Sequence, residues 1–559
     1  MSSGDVASNF IYVVVGFATL GGVMFGLDQG NWGGAIVKDG FIDAFCAGKF
    51  PEEAEQCHDA KNAPSSYVQF LGLGSSLLQA GAAAGALLLA PTLAGRLGRR
   101  EAMVVGSLVT IVGVVPQMMT TVVPLFLSVR FVAGLGIGIV TYALPMFISE
   151  IAPTHIRGAL GASMQLTTTI GSLIASLLNL APWFKYEFSF SLPSYPALIV
   201  AVGIFCFPMS PRFAILKWGR RGNPDEGALR ALASLKRLRG NENLARRELQ
   251  ELQECLSAES HEAPWSALWT DPSIRRRVIL ANMLQWLQQF TGVNAILSYG
   301  PSIFSSSGVP LNELLCAVIT NLFNTAGTLA MVFIIDKLGR RFLLLLAAGC
   351  MCAFMGLAAL LTHVISATPE GDPSRAVFGW GLLLCVCGYM ASFAIGWGGV
   401  PWVYPSEIFP MDVKEKALST STFSQWAANF LIAYLIPLQV RLMKPTGTFL
   451  FYTVCLAISF ALVYFFIPET AGRNLEDMDE LFGARLVQAR EHRAGSAHSQ
   501  SVANSESCAC SFVRAISGGG GGPDTQLAES FSSDPERRSR SKRATAHVIV
   551  NSFGGAAIS

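Results

Sequence analysis

One short polar signature occurs twice in this chain. Ser149-Glu150-Ile151-Ala152-Pro153 is followed by Arg157, and Ser406-Glu407-Ile408-Phe409-Pro410 by Lys414, each basic residue standing seven positions after its glutamate. Leu97-Gly98-Arg99-Arg100 likewise returns as Leu338-Gly339-Arg340-Arg341. Both repeats lie in a chain that is 51% hydrophobic and only 14% charged, with mean hydropathy +0.44. Soluble chains carry about a quarter charged residues, so this composition describes an integral membrane protein. Polar signatures repeated at nearly one long spacing in such a chain mean two related halves. In membranes, two parallel halves with a ligand held between them are a transporter architecture.

A helix crosses the hydrocarbon layer in about 20 apolar residues. Uncharged stretches of that order fall at 10–27, 62–95, 102–129, 131–149, 158–184 and 188–211. A charged segment follows from Arg212 to Arg277. The pattern resumes at 278–312, 314–335, 342–369, 376–406, 417–440 and 445–468. The fold class expected is therefore all-α and integral to the membrane, with twelve spans in two six-helix bundles. Residues 1–211 form the first bundle, 212–269 a linker with helices near 225–239 and 242–256, 270–470 the second bundle, and 471–559 a tail. The tail is rich in Ser, Gly and Arg and cannot bury enough apolar surface to fold alone. Lys and Arg cluster after spans 2, 4, 8 and 10, all on one side if the spans alternate. The positive-inside rule makes that side cytoplasmic, and both termini and the linker with it.

Other function classes find little support. The run Arg275-Arg276-Arg277 suggests a basic flank of span 7 rather than a nucleic-acid surface. The 12 cysteines show no Cys-x-x-Cys spacing, and no metal or nucleophile constellation lies in the spans. No enzyme activity, metal or cofactor is expected, and no basic start precedes the first apolar stretch as in a cleaved leader. The partners expected are the bilayer and a small ligand.

Several short motifs sit in order on these spans. They are Phe25-Gly26-Leu27-Asp28-Gln29-Gly30 on span 1, Gly98-Arg99-Arg100 after span 2, and Gln288-Gln289-Phe290-Thr291-Gly292-Val293-Asn294 on span 7. Asp336-Lys337-Leu338-Gly339-Arg340-Arg341 follows span 8, Pro401-Trp402 and Pro405-Ser406-Glu407 lie on span 10, and Pro468-Glu469-Thr470 ends span 12. Together they resemble the sugar porter (hexose transporter) family of the major facilitator superfamily, over roughly residues 10–480. The chain departs from that pattern at Leu27, where an aromatic residue is usual, and at Ser298, which replaces the first of two tyrosines and leaves Tyr299. Gly95 stands where an acid is common, although Asp336 keeps it in the second half, and Met209 replaces a usual glutamate.

A neutral sugar needs groups that both donate and accept hydrogen bonds, an aromatic surface, and no charge. The spans supply Gln165, Gln288, Gln289, Asn294, Asn324, Gln425 and Asn429 as amides, and Trp402 and Phe25 as rings. Gln425 and Asn429 stand four apart and share a helix face. Gly292 can interrupt span 7 and turn Asn294 inward. Trp426 and Phe25 can line or pack, whereas Thr167, Thr168 and Thr169 read as packing groups.

Asp28 and Arg130 lie inside apolar spans, where an isolated charge costs several kcal/mol, so each needs a partner. They form either a permanent structural pair or a proton switch, and the resemblance favours the switch. Arg99, Arg100, Glu150, Arg157, Arg340, Arg341, Glu407 and Lys414 can form ion-pair clusters acting as a cytoplasmic gate. Glu150 is expected with Arg157 and Glu407 with Lys414. Cys46 and Cys57 share the long acidic loop after span 1, where an oxidising exterior permits a disulfide. The function implied is alternating-access transport of a monosaccharide, a hexose first among them, with proton symport. A facilitator without coupling and a membrane sugar sensor of the same fold are the alternatives. The location expected is the plasma membrane.

Overall fold

A backbone that crosses lipid must satisfy its polar groups internally, and a helix does so within one segment. The computed structural model describes residues 9–48, 57, 63–153, 156–258, 263–306, 309, 311–369, 372–410, 412–471 and 482, with positions 157, 255, 257, 258, 302, 305 and 306 given by backbone alone. Among the described residues every regular element is helical. Nine helices there are long and apolar enough to cross a membrane. They are Asn9–Ala35 (span 1), Ser65–Arg96 (span 2), Arg99–Gln117 (span 3), Val123–Ile151 (span 4), Tyr186–Cys206 (span 6), Glu313–Leu338 (span 8), Arg340–Ala367 (span 9), Pro373–Ile408 (span 10) and Lys414–Phe466.

The last of these is two spans, 11 and 12, divided where Lys444 takes φ 57° before Pro445. Span 5 is Arg157–Leu180, made less apolar by Gln165 and Thr167 to Thr169. Span 7 comes in two pieces, Pro272–Phe290 and Val293–Ser306, because Gly292 takes φ 87°. An L side chain rarely adopts that backbone, and glycine does so without steric cost. The twelve spans expected are thus accounted for.

Two boundaries differ most from those drawn on charge alone. Span 1 continues through Asp28 to Ala35, and the break between spans 3 and 4 lies at 118–122 rather than at Arg130. Both differences have one cause. Asp28 and Arg130 are buried in helix interiors and paired with each other, so neither marks a helix end.

Four helices form the linker: Pro211–Gly219, Pro224–Arg239, Glu242–Ala258 and the short Ala267–Thr270, the second and third near the stretches expected. Acidic Asp225 and Glu226 begin the second and basic Lys236, Arg237 and Arg239 end it, which suits the helix dipole. Arg239 donates to the Ile151 carbonyl at 2.9 Å, at the end of span 4. Arg277 donates to the Ile408 carbonyl at 2.8 Å, at the end of span 10. Arg277 is therefore buried against a helix terminus, while Arg275 and Arg276 beside it are exposed. The halves meet where span 5 packs on span 8 and span 2 on span 11. The tail expected over 471–559 lies outside the described residues, apart from Ala471 and Phe482.

The loop after span 1 begins as helix, Asp39–Ile42 continued by Asp43–Ala47. Its Phe41 and Phe45 sink among aromatic rings, with Phe45 5.1 Å from both Phe70 and Phe126. Cys46 is bonded to Cys57, Cα atoms 6.0 Å apart. The Lys38 amine donates to the Phe184 carbonyl, and burial holds its pKa below the ordinary lysine value. Closing so short a loop removes about 3 kcal/mol of chain entropy from the unfolded state. Alkylation without reduction should leave Cys46 and Cys57 unmodified, and Cys46→Ser should lower the melting temperature. Two alkylated thiols in the mature protein would exclude the bridge.

Small residues set the helix spacing within the first half, as is usual where lipid gives no hydrophobic drive to association. A Cβ at Gly138 would collide with the Ala82 carbonyl, and one at Gly134 with that of Leu78. Spans 4 and 2 therefore touch backbone to backbone. Gly138→Leu should part them and sharply reduce the yield of monodisperse protein on size exclusion, since overpacking costs about 1–3 kcal/mol or more. Wild-type yield and melting temperature would show that the pair tolerates separation.

Candidate functional site

The two pieces of span 7 diverge at Gly292, and the break turns Asn294 towards span 1. Gln29 Nε2 donates to Asn294 Oδ1 at 2.8 Å. Asn294 Nδ2 in turn donates to Asn429 Oδ1 at 3.0 Å and to Gln289 Oε1. Phe25 and Gln29 stand four apart on span 1, so both face the same space. That space is a cavity between the halves.

All nine side chains proposed from sequence border it: Phe25, Gln165, Gln288, Gln289, Asn294, Asn324, Trp402, Gln425 and Asn429. Five more polar or aromatic groups border it that sequence reasoning did not select: Gln29, Thr168, Thr169, Ser172 and Phe393. None of the lining residues carries a charge. Thr167 is the packing group expected, its hydroxyl bonded back to the Ser163 and Met164 carbonyls. Thr168 and Thr169 instead reach the cavity wall. Trp426 packs edge-on against Phe25 at 4.9 Å and donates to the Thr141 hydroxyl at 3.1 Å, so of this pair only Phe25 lines the cavity.

The amides are unequally satisfied. Gln288 donates to the Trp397 carbonyl at 2.6 Å, yet its Oε1 has no partner. Asn324 Oδ1 and Gln425 Oε1 are also buried and unpaired among the described residues. A buried acceptor without a donor costs about 1–3 kcal/mol. Three such acceptors around one neutral cavity are suited to a ligand that brings several hydroxyl donors.

A second pocket adjoins the first and shares Phe25, Gln29, Asn294 and Asn429 with it. Asp28 and Arg130 line this pocket, 3.0 Å apart and both buried. Arg130 also donates to the Gly74 carbonyl at 2.8 Å and to Gln117 Oε1 at 3.5 Å, and lies over the Trp32 ring at 4.7 Å. Its charge thus retains partners beyond Asp28. Gln117 is the last residue of span 3, whereas the stretch drawn from sequence ran on to 129 and hid that helix end.

Both ends of the cavity are bridged. On the face away from the Gly-Arg-Arg loops, the Tyr299 hydroxyl lies 2.9 Å from that of Ser75 and donates to the Leu71 carbonyl at 3.2 Å. On the basic face, Arg99 bonds Glu150 at 2.8 Å and also Glu415 of the second half. Arg340 bonds Asp336 at 2.8 Å and Glu407 at 2.6 Å, and Glu407 accepts from Thr470 at 2.8 Å. Each signature glutamate therefore takes the first arginine of its own half's loop. The loop arginine reaches it across the bundle end. Arg100 turns instead to Glu101 and the Phe207 carbonyl, and Arg341 to the Tyr464 carbonyl, so neither joins a cluster. Lys414 is buried at the start of span 11, and the Arg157 side chain lies outside the described residues. Glu415 was missed because nothing in a single sequence marks a lone glutamate at a helix start as reaching the opposite half.

Known proteins with this arrangement agree with one another. The family described as "Sugar (and other) transporter" matches residues 14–482. Sugar transport protein MST4 of rice (Oryza sativa subsp. japonica) is 32% identical over 476 residues, covering 83% of this chain and 88% of its own. The probable glucose transporter rco-3 of Neurospora crassa is 32% identical over 488 residues, covering 84% and 79%. Among solved structures, the proton:xylose symporter XylE bound to 6-bromo-6-deoxy-D-glucose superposes with a TM-score of 0.68 at 25% identity, covering 85% of this chain and 99% of that one. XylE from E. coli in a partially occluded inward-open conformation gives 0.66, again at 25% identity, covering 84% and 100%. The chain, whose own cavity is neutral and amide-lined, belongs to the sugar porter family of the major facilitator superfamily and is a sugar transporter.

Proposed function

We propose that this transporter carries a monosaccharide, a hexose first among them, by alternating access coupled to a proton. The observation that carries the reading is the set of three unpaired acceptors, on Gln288, Asn324 and Gln425, around a cavity without charges. A pyranose offers hydroxyl donors in several directions and two weakly apolar faces for Trp402 and Phe25. A charged metabolite would find no counterion there. The relatives' names support a sugar of this size, since one is called a glucose transporter and a solved neighbour holds a halogenated glucose. The basic face is then cytoplasmic by the positive-inside rule, with both termini, and the membrane is the plasma membrane.

Coupling is read from contiguity. Asp28 is next in sequence to Gln29, and Gln29 holds Asn294 across the halves. Protonating Asp28 releases its bond to Arg130, which keeps the Gly74 carbonyl and Gln117, so the cation is not stranded. The shift reaches the cavity through a single backbone step on span 1. One charge crossing 100 mV gains about 2.3 kcal/mol, and each ~1.4 kcal/mol is tenfold. One proton can therefore sustain roughly a fiftyfold sugar gradient from voltage alone. The proton:xylose symporter among the structural neighbours supports this reading.

Uptake of labelled sugars into proteoliposomes, with and without a proton gradient, tests it. Concentrative uptake abolished by uncoupler is expected. Equilibration only, indifferent to pH gradient and uncoupler, would make the protein a facilitator. Gln425→Ala should weaken sugar binding by roughly five- to a hundredfold, the loss of one ligand hydrogen bond. Gln425 is a cleaner probe than Gln288, whose amide also braces the Trp397 carbonyl. Trp402→Ala should weaken binding through the lost ring face, and wild-type affinity in both variants would remove the cavity from the substrate path.

Asp28→Asn separates switch from strut. As the proton carrier, Asp28→Asn should abolish accumulation while sugar exchange between the two sides persists. As a strut, it should leave Arg130 uncompensated, lower the folded yield, and leave the remaining transport concentrative.

A further inference from the structure

The two halves do not carry the same charges on their basic faces. In the second half, Asp336 stands four residues before Arg340 and bonds it at 2.8 Å. The matching position in the first half, four residues before Arg99, is Gly95. A second matching pair shows the opposite exchange. Eight residues after Glu150 comes Gly158, and eight after Glu407 comes Glu415.

The structure brings these four positions together crosswise. A Cβ on Gly158 would collide with the Asp336 carboxylate and the Arg340 guanidinium, so that space in the second cluster is already filled from its own half. At the first cluster the geometry is reversed. Gly95 leaves space, and the nearest group to a Cβ built there is Glu415 Oε2, at 3.9 Å. Glu415 reaches into it from the second half and bonds Arg99. Each cluster therefore has one arginine, one signature glutamate, one glycine and one further carboxylate. In the second cluster that carboxylate comes from the same half as the arginine. In the first it comes from the opposite half.

We propose that this exchange makes Glu415 the latch of the basic face. An acid at position 95 would satisfy Arg99 whether the face is open or closed. An acid at 415 satisfies it only when the ends of spans 2 and 11 are together. Arg99 is 2% exposed and Glu415 30%, so the pair is shielded on one side and reached by water on the other. A further contact spans the same two halves: Tyr142 of span 4 donates to the Glu415 carbonyl at 3.0 Å. The first-half cluster is the one that opening must break, while the Arg340 cluster can travel intact with its own half. The latch rests on the alternating-access reading above, but not on the identity of the sugar or on proton coupling.

The test compares wild type, Glu415→Gln, and the double variant Gly95→Asp with Glu415→Gln, all without sugar. Spin labels at Leu97 and Leu338, exposed residues of the two basic loops, report the separation of the halves in detergent-solubilised protein freed of other reactive thiols. Glu415→Gln should raise the open population about fivefold, the scale of a partly solvated ion pair. Gly95→Asp added to it should restore the melting temperature, because Arg99 regains a carboxylate, yet leave the face open, because the carboxylate no longer spans the halves. An unchanged distance distribution in Glu415→Gln would overturn the proposal. So would a double variant that closes like wild type, which would show that Glu415 merely neutralises Arg99. Failure of every hexose tested to be taken up by wild type, with these distances as expected, would count against the sugar named above and leave the latch standing.

Discussion

Polar groups inside a bilayer must be paired, and this requirement organises the molecule. It makes the backbone helical throughout the spans. It also explains why Arg130 has a carboxylate, a carbonyl, an amide and an indole ring around it. Some buried polar groups still lack a partner, and three of them gather in one place. Gln288, Asn324 and Gln425 leave acceptors unpaired where the halves face each other. The cavity is therefore a part of the interior whose hydrogen bonding a ligand can complete. Its two neighbouring pockets divide the chemistry, one neutral and one holding the buried ion pair.

Closure at the two ends uses different physics. Away from the basic loops, hydroxyls and carbonyls of Tyr299, Ser75 and Leu71 make short neutral contacts between helices. On the basic face, charges do the work, and Arg239 of the linker and Arg277 of span 7 sit on carbonyls at the ends of span 4 and span 10. Neutral contacts depend little on ionic strength, whereas exposed charge pairs weaken as salt screens them.

Much of this was legible in the sequence, for physical reasons. Apolar length and the doubled signatures are direct consequences of crossing a membrane twelve times in two related halves. Amides within apolar runs stand out because they are costly there, so the nine cavity residues could be named. Span edges were less legible. Charge normally marks a helix end, and the rule misled at Asp28 and Arg130, where each charge is neutralised by the other deep inside. Contacts between halves were illegible. Gln29 was visible as part of a motif, but its hold on Asn294 depends on a helix break at Gly292 and on how the halves meet. Glu415 resembled any acidic residue in a first helical turn.

The crosswise placement of Gly95, Gly158, Asp336 and Glu415 also limits how the halves can be recombined. Each half is complete only in the company of a partner carrying the complementary vacancy. A chimaera that kept this first half but took a second half with glycine in place of Glu415 would leave Arg99 with one carboxylate instead of two. The reciprocal chimaera, adding Glu415 opposite an acid at position 95, would crowd two carboxylates into one space and repel them. Compatibility between halves in this molecule is therefore decided by a matched pair of positions at the interface, and exchange of either half alone would be expected to disturb gating before it disturbed the fold.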